Sequence, residues 1–252
     1  MSAKELKRSL LDALFPPFCL LCGGPAEGRF PHCCERCLTV MEPLPSYVCS
    51  RCGEPFRVPD DPHLCLRCIL KKPPFQWCRG LFRYSDELAM AITLLKFQGK
   101  LSLLGPLQWA VKRGVEGIDL PPVDGIVPVP IHFKRLMKRG FNQAEVLAKP
   151  LAEILNVPIL PAALTRVKEK PQVGLGLKER ERNARDGYVL NGEGGSLAGM
   201  RLILFDDVYT SGATARVCSR VLRRAGATVS VLTLARSMRI QDLHHLPVDP
   251  LI

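Results

Sequence analysis

Residues 201–235, RLILFDDVYTSGATARVCSRVLRRAGATVSVLTLA, limit the possible fold more than any other stretch. A short apolar run, Leu202 to Phe205, ends on two adjacent carboxylates, Asp206 and Asp207. A loop of small residues follows: Thr210, Ser211, Gly212, Ala213 and Thr214. Helical spacing begins at once, with Val217, Cys218, Val221, Leu222 and Ala225 on one apolar face. Gly226 stands where a left-handed residue closes a helix. Thr228 to Leu234 is β-branched and apolar, as a buried strand should be. Two buried strands joined by a crossover of this length run parallel, so the chain is predicted α/β, a parallel sheet flanked by helices.

Open parallel sheets bind ligands beyond the carboxyl ends of their strands. A small-residue loop lets backbone N–H groups close on an anion there, and the next helix points its positive end at it. Two acids beside such a loop repel phosphate but suit a ligand that also offers hydroxyls or a bound Mg²⁺. ILFDDVYTSGAT resembles the phosphoribosyl-diphosphate (PRPP) motif of type I phosphoribosyltransferases. The resemblance implies a type I phosphoribosyltransferase-like sheet. In it Asp206 and Asp207 meet the ribose hydroxyls, and Val208 with Thr210, Ser211, Gly212, Ala213 and Thr214 forms the PRPP loop. Ser211 stands where threonine is usual and keeps the hydroxyl. The plainer reading is that Asp207 and Ser211 only cap a helix.

Eight cysteines form four C-x-x-C pairs: Cys19/Cys22, Cys34/Cys37, Cys49/Cys52 and Cys65/Cys68. The first and third pairs are followed by glycine, Gly23 and Gly53, so the order repeats with an offset of about thirty residues. Tetrahedral Zn²⁺ takes four thiolates, and two knuckles supply them. The repeat favours sequential ribbons: Cys19, Cys22, Cys34 and Cys37 on one ion, Cys49, Cys52, Cys65 and Cys68 on the other. Interleaved pairing stays open. Cys33 is spare, and His32 and His63 are substitutes or neighbours. A closed Cys₄ shell is structural, since no position is left for chemistry.

With 252 residues and a formal charge of +11, the chain stays basic even when two filled zinc sites lower that to roughly +7. That balance suits phosphorylated ligands or nucleic acid. Aromatics at 6% argue against an extensive base-stacking platform. No apolar run reaches transmembrane length, and residues 1–14 read as a short amphipathic helix. Membrane insertion is therefore not expected, and a cytosolic location with reduced thiols is. Pro73-Pro74 marks the expected end of a first domain, residues 1–75, with a second at 76–252.

In the middle, Leu81 to Tyr84 is expected as a strand and Ser85 to Phe97 as a helix capped by Ser85, with Leu88, Ile92 and Leu95 inward. A helix is expected over 105–115 and a strand over 125–129. Lys134, Arg135, Lys138 and Arg139 place positive charge beyond that strand. Then comes a helix with Ala144, Leu147, Ala148, Leu151 and Ile154 on one face.

PVPIHFKRLMKRGFNQAEVLA, with the cysteine pairs, resembles the ComF family (ComFC/GntX-like), and the likeness covers nearly the whole chain. Arg139, Gly140, Phe141, Asn142 and Gln143 match its R-G-F-N-Q run. Arg166, Gln172, Leu175, Arg180 and Asn183 match a later pattern, from which Lys170 and Tyr188 depart. The resemblance implies that Pro128, Val129 and Pro130 bind the diphosphate with Mg²⁺. It adds Arg139, Asn142, Gln143, Arg166, Gln172, Arg180 and Asn183 to the PRPP contacts, and makes residues 168–185 a closing flap. It also implies a role in DNA uptake or nucleotide metabolism, as a transferase with an unknown acceptor. The rival is a PRPP-sensing accessory protein that binds single-stranded DNA or a competence helicase.

Overall fold

The computed structural model describes residues 17–56, 61, 63–167, 187–191 and 196–237. The amphipathic stretch 1–14, Gln172, Leu175, Arg180, Asn183 and the end of the chain after Ser237 lie outside them.

Among the described residues, four strands form the parallel sheet that the crossover demanded. They are β1 (Cys78–Arg83), β2 (Gly125–Pro128), β5 (Arg201–Tyr209) and β6 (Thr228–Arg236), in the order β1-β6-β5-β2. A separate antiparallel pair, β3 (Leu164–Arg166) and β4 (Tyr188–Leu190), stands beside it. Helices cover both faces. On one lie α3 (Asp86–Gln98), α4 (Leu104–Val115) and α6 (Gln143–Leu155), whose Leu88, Leu107 and Leu147 pack with Ile203 and Phe205. On the other lies α7 (Ala213–Arg224), whose Val217 and Leu222 pack with Leu202, Leu204 and Val231. Ser85 caps α3 as expected, accepting from the Leu88 N–H at 3.4 Å. Gly226 closes α7 with φ of 88°.

Three expectations need correction. First, β5 does not stop at Phe205: Asp206 pairs with Thr233, Val208 with Ala235 and Tyr209 with Arg236. The carboxylates do not end the strand because β6 runs alongside and satisfies the backbone whatever the side chains. Second, the basic run after β2 is itself helical, α5 (Phe133–Arg139), started by the His132 ring and closed by Gly140 at φ 79°. None of its residues is buried. Third, Ile154 is 48% exposed, so the inward face of α6 ends at Leu151.

The cysteine segment folds as two ribbons of one design. Each has a knuckle hairpin, bridged Phe18–Pro25 or Val48–Pro55, and then a short helix, α1 (Glu35–Thr39) or α2 (Leu66–Leu70), with Cys34 or Cys65 at its N-cap. His32 and His63 serve equivalent places through their carbonyls, which accept from Leu20 and Ser50 at 3.0 Å. The ribbons straddle the β1 edge. Cys37, Leu38 and Met41 join the α3–α4 side of the core, and Cys49, Cys52 and Phe75 join the α7 side. Their linker seals that edge: Leu44 N–H donates to Leu81 and Arg83 N–H to Glu42, with Pro43 bridged to Phe82. Proline is tolerated there because an edge residue can do without one donor. Gly53 has φ of 68°, and a Cβ on it would lie 2.3 Å from the Cys78 carbonyl oxygen. The knuckle approaches the sheet this closely only with glycine.

Candidate functional site

Alternation along β5 sends the two acids to opposite faces. Asp206 points to the α7 side and lines a recess of about 40 Å³ with Val129, Val208, Thr210, Ser211, Gly212, Ala213 and Thr214. Asp207 points to the α3 side, where Lys96 Nζ meets its Oδ2 at 2.6 Å. Lys96 lies in the last turn of α3, where the helix dipole favours a cation. The capping reading of Asp207 therefore fails. Ser211 does some capping, its Oγ accepting from Ala213 N–H at 3.3 Å.

The loop turns into α7 through Gly212, at φ 72°. A Cβ there would fall 2.1 Å from the Tyr209 hydroxyl, so sterics and backbone conformation both require glycine. The first N–H groups of α7 have no partner within the helix.

The loop after β2 lies alongside, with Val129 N–H donating to the Phe205 carbonyl at 2.8 Å. Pro128, Val129 and Pro130 are buried there. Asn142 pins that loop, its Nδ2 donating to the Val129 carbonyl at 3.1 Å while Oδ1 caps α6 by accepting from Ala144 N–H. Gln143, 2% exposed, accepts from Arg139 Nη1 at 3.0 Å. Arg139 lies over the Phe97 ring at 5.1 Å. Burial and Arg135 hold its guanidinium below its usual range, against the pull of Asp207. Asn142 and the Gln143 oxygen are thus engaged with protein groups, the buried Gln143 Nε2 has no hydrogen-bond partner, and Arg139 is the member of that run which shares a field with the acids.

The β3–β4 pair brings Arg166 over the Tyr188 ring at 5.6 Å. Burial pushes the Tyr188 phenol up, while Arg166 and a hydrogen bond with Thr214 pull the other way. So β4 leans on the loop from Thr210 to Thr214 through Tyr188.

Burial and the Asp207 charge push Asp206 up to about 7, opposed by Lys96 and Arg166. The unfolded chain loses this proton near 3.8, the folded chain later. Between those values the folded state binds more protons, so stability falls as pH rises through the window. Asp206→Asn is therefore expected to raise Tm more at about pH 8 than at about pH 5.5, by roughly 5 °C if about 2 kcal/mol of the penalty is recovered. Thermal unfolding at both pH values checks this; an equal shift at both would contradict it.

The zinc ligands group sequentially, as the repeat favoured: Cys19, Cys22, Cys34 and Cys37, then Cys49, Cys52, Cys65 and Cys68, with all sulfurs of a group within 4.8 Å. Cys22 and Cys34 sulfurs lie 3.7 Å apart, as do those of Cys52 and Cys65. A tetrahedron with Zn–S bonds of about 2.3 Å has edges of roughly 3.8 Å, so each group fits Zn²⁺. Burial raises the Cys49 thiol, but N–H groups of Cys52, Cys65 and Arg51 outweigh it and bring it down to about 7. Cys33, Cys78, His32 and His63 fall outside both groups.

No motif in the sequence assigns Lys96 or Arg236 to the site, and Tyr188 enters there only as a departure from the family pattern. Arg236 is 2% exposed, donates Nη1 to the Cys52 carbonyl at 2.8 Å, pairs with Glu54 and lies over Tyr209 at 4.5 Å. Its one signal is a cation at the end of an apolar strand.

A family model described as a double zinc ribbon domain matches residues 10–69. The DNA utilization protein YhgH of Salmonella typhimurium is 31% identical over 231 residues, 88% of this chain and 98% of that protein. Competence protein ComFC of Bacillus subtilis is 26% identical over 212 residues, 81% of this chain and 84% of that protein. Among solved structures, glutamine PRPP amidotransferase from B. subtilis, complexed with ADP and GMP, matches at 19% identity and a TM-score of 0.40. That match covers 57% of this chain and 30% of the amidotransferase chain. No helix among the described residues is long and apolar enough to cross a membrane.

Proposed function

Because this chain belongs to the ComF family, which includes DNA utilization and competence proteins, we propose that it is a PRPP-binding, phosphoribosyltransferase-like protein acting in DNA uptake or utilization. One observation carries the reading: Val129, Asp206 and the loop from Thr210 to Thr214 meet in a single recess at the carboxyl end of β5, with Lys96, Arg139 and Arg166 around the acids. Cations from three different elements would meet an anionic ligand there, and carboxylates are what a ribose diol asks for.

In the transfer reaction the C1′–O bond to diphosphate breaks and the diphosphate leaves with the electron pair. The acceptor then supplies the pair for the new bond at C1′. Positive charge develops on the ribose ring, so groups that hold the leaving diphosphate lower the barrier most. Loop amides and the hydroxyls of Thr210, Ser211 and Thr214 hold the 5′-phosphate. Asp206 and Asp207 orient the ribose, with Lys96 restraining Asp207. Arg139 and the Pro128–Val129–Pro130 loop lie on the diphosphate side. Mg²⁺, when bound with PRPP, neutralises diphosphate charge. The zinc ribbons are structural.

Asp206→Asn combined with Asp207→Asn is expected to weaken PRPP binding tenfold or more, with zinc content unchanged. Calorimetric titration with PRPP and Mg²⁺, beside a zinc assay, reads both. Undiminished binding in the double variant would remove the site assignment. Pyrophosphate release with a panel of bases and nucleosides then separates a transferase from a PRPP-sensing accessory protein of DNA handling. The second reading is favoured by a basic cleft beside the loop, where Arg67, Lys71 and Lys72 after the second ribbon face Arg216, Arg220 and Arg223 of α7.

A further inference from the structure

Cys34 and Cys65 hold equivalent N-cap places, so α1 and α2 correspond residue by residue. Glu35 matches Leu66, Leu38 matches Ile69 and Thr39 matches Leu70. In the first ribbon Leu38 lies in one core with Leu103 and Leu107. The two flanking positions there are polar. Glu35 pairs with Arg29 at 3.0 Å, and the Thr39 hydroxyl donates to the Arg36 carbonyl at 2.9 Å. In the second ribbon all three positions are apolar and all are exposed. The contrast is sharpest at the middle one, where Leu38 is 0% exposed and Ile69 is 64%. Helix α2 buries Cys68 alone.

Leu66, Ile69 and Leu70 are spaced i, i+3 and i+4, so they share one face of α2. The ribbon design does not require apolar chains there, because the first ribbon has glutamate and threonine in two of the three places. A contiguous exposed apolar face marks a contact with another body. The repeat itself shows what such a face accepts, since Leu38 is covered within a core built largely of helices. Charge narrows the occupant further. Residues 61–76 carry Arg67, Lys71 and Lys72, all exposed, and a single carboxylate, Asp61. A complementary body presents acids around its apolar side chains. A second copy of this chain would set the same cations against each other across a twofold axis. A helix of five residues also covers far less than the roughly 1,200 Å² in total that a stable dimer buries. Residues 1–14 of this chain carry Lys4, Lys7 and Arg8 against Glu5 and Asp12, so they offer no acidic rim.

We propose that the outer face of α2 docks a short amphipathic helix of another protein, apolar on the side it buries and edged with carboxylates. Leu66, Ile69 and Leu70 pack against the apolar side of that helix, and Arg67, Lys71 and Lys72 meet its acids. The contact is small, so it is weak and exchanging. It does not draw on the phosphoribosyl reading and needs neither the acid pair nor the loop before α7.

The test uses the full zinc-loaded chain and a fluorescein-labelled designed peptide of about 18 residues, with leucines at helical spacing and glutamates flanking them. Anisotropy is expected to show micromolar binding that weakens with added salt. The same peptide with lysines for glutamates is expected to bind roughly tenfold more weakly or worse. Leu66→Ser with Ile69→Ser is expected to weaken the acidic peptide roughly tenfold or more. Both side chains are exposed, so zinc content and Tm should match the parent. Phe133→Ser with Met137→Ser removes exposed apolar surface from α5 instead and is expected to leave affinity within about twofold. Lys71→Glu with Lys72→Glu should weaken the acidic peptide and strengthen the lysine peptide, a reversal that no folding defect reproduces. A chain that binds the peptide but shows no PRPP-induced thermal shift loses the phosphoribosyl reading and keeps this one. Five outcomes overturn the proposal: no binding of the acidic peptide, equal binding of the lysine peptide, equal loss from the α5 pair, a dimer in sedimentation velocity that the Leu66 and Ile69 changes abolish, or binding to phosphatidylglycerol vesicles that those changes abolish and the acidic peptide does not compete.

Discussion

Cys52→Ser is expected to lower the zinc content from two ions per chain to one and to unfold the second ribbon. The ribbon has little core of its own: a knuckle, a helix of five residues and a few side chains such as Phe75 against the sheet. Metal binding on the order of 10 kcal/mol replaces that core. Loss of one sulfur from a closed shell forfeits most of it. The damage should spread, because the Cys52 carbonyl accepts from Arg236, which lies over Tyr209, and Tyr209 packs on Gly212 in the loop before α7. Zinc released on thiol modification, measured beside Tm, gives the result. Cys33→Ser and Cys78→Ser should keep both ions, since neither sulfur is in a group. Two ions retained in Cys52→Ser would refute the assignment.

Arg236→Met is expected to cost about 3–5 kcal/mol, the range for breaking a buried ion pair from one side. The loss leaves Glu54, whose side chain is 22% exposed, without its cation, and leaves the Cys52 carbonyl without its donor. Adding Glu54→Gln should recover part of the cost, because the neutral amide no longer needs a counter-charge. Denaturant unfolding of the single and double variants measures both. A cost below about 1 kcal/mol for Arg236→Met would place this pair among ordinary surface bridges.

Much of the candidate site's layout was legible because its signals are short. The loop from Thr210 to Thr214, the acids before it and the helix after it lie within one crossover, and spacing alone orders them. The zinc groups were legible for the same reason, down to sequential pairing, since the repeat offset returns in the backbone bonds from Leu20 to His32 and from Ser50 to His63. The end of β5 was misread because two acids look like a stop signal. A strand inside a parallel sheet continues as long as its neighbour does. Helix α5 was missed because its four cations resemble a solvated loop and none of its side chains is buried, so no apolar periodicity marks it.

The roles of Asn142 and Gln143 show a different limit. In the sequence they belong to the same run as Arg139. In the fold Asn142 pins the Val129 carbonyl and caps α6, whereas Gln143 holds Arg139 through Oε1 alone and its buried Nε2 has no hydrogen-bond partner. A motif tells which residues travel together, not which of them faces the ligand.

By itself, the sequence determined the parallel crossover, the small-residue loop between strand and helix, and the membership of the two thiolate clusters. Each depends on residues a few turns apart, where covalent geometry leaves little choice. Tertiary structure alone decided that Lys96 answers Asp207, that Arg236 fastens the second ribbon to the end of β6, and that two basic walls face each other beside the loop. Those pairings join elements distant along the chain. They follow from which face of the sheet each helix covers, and that is settled by packing the whole core at once.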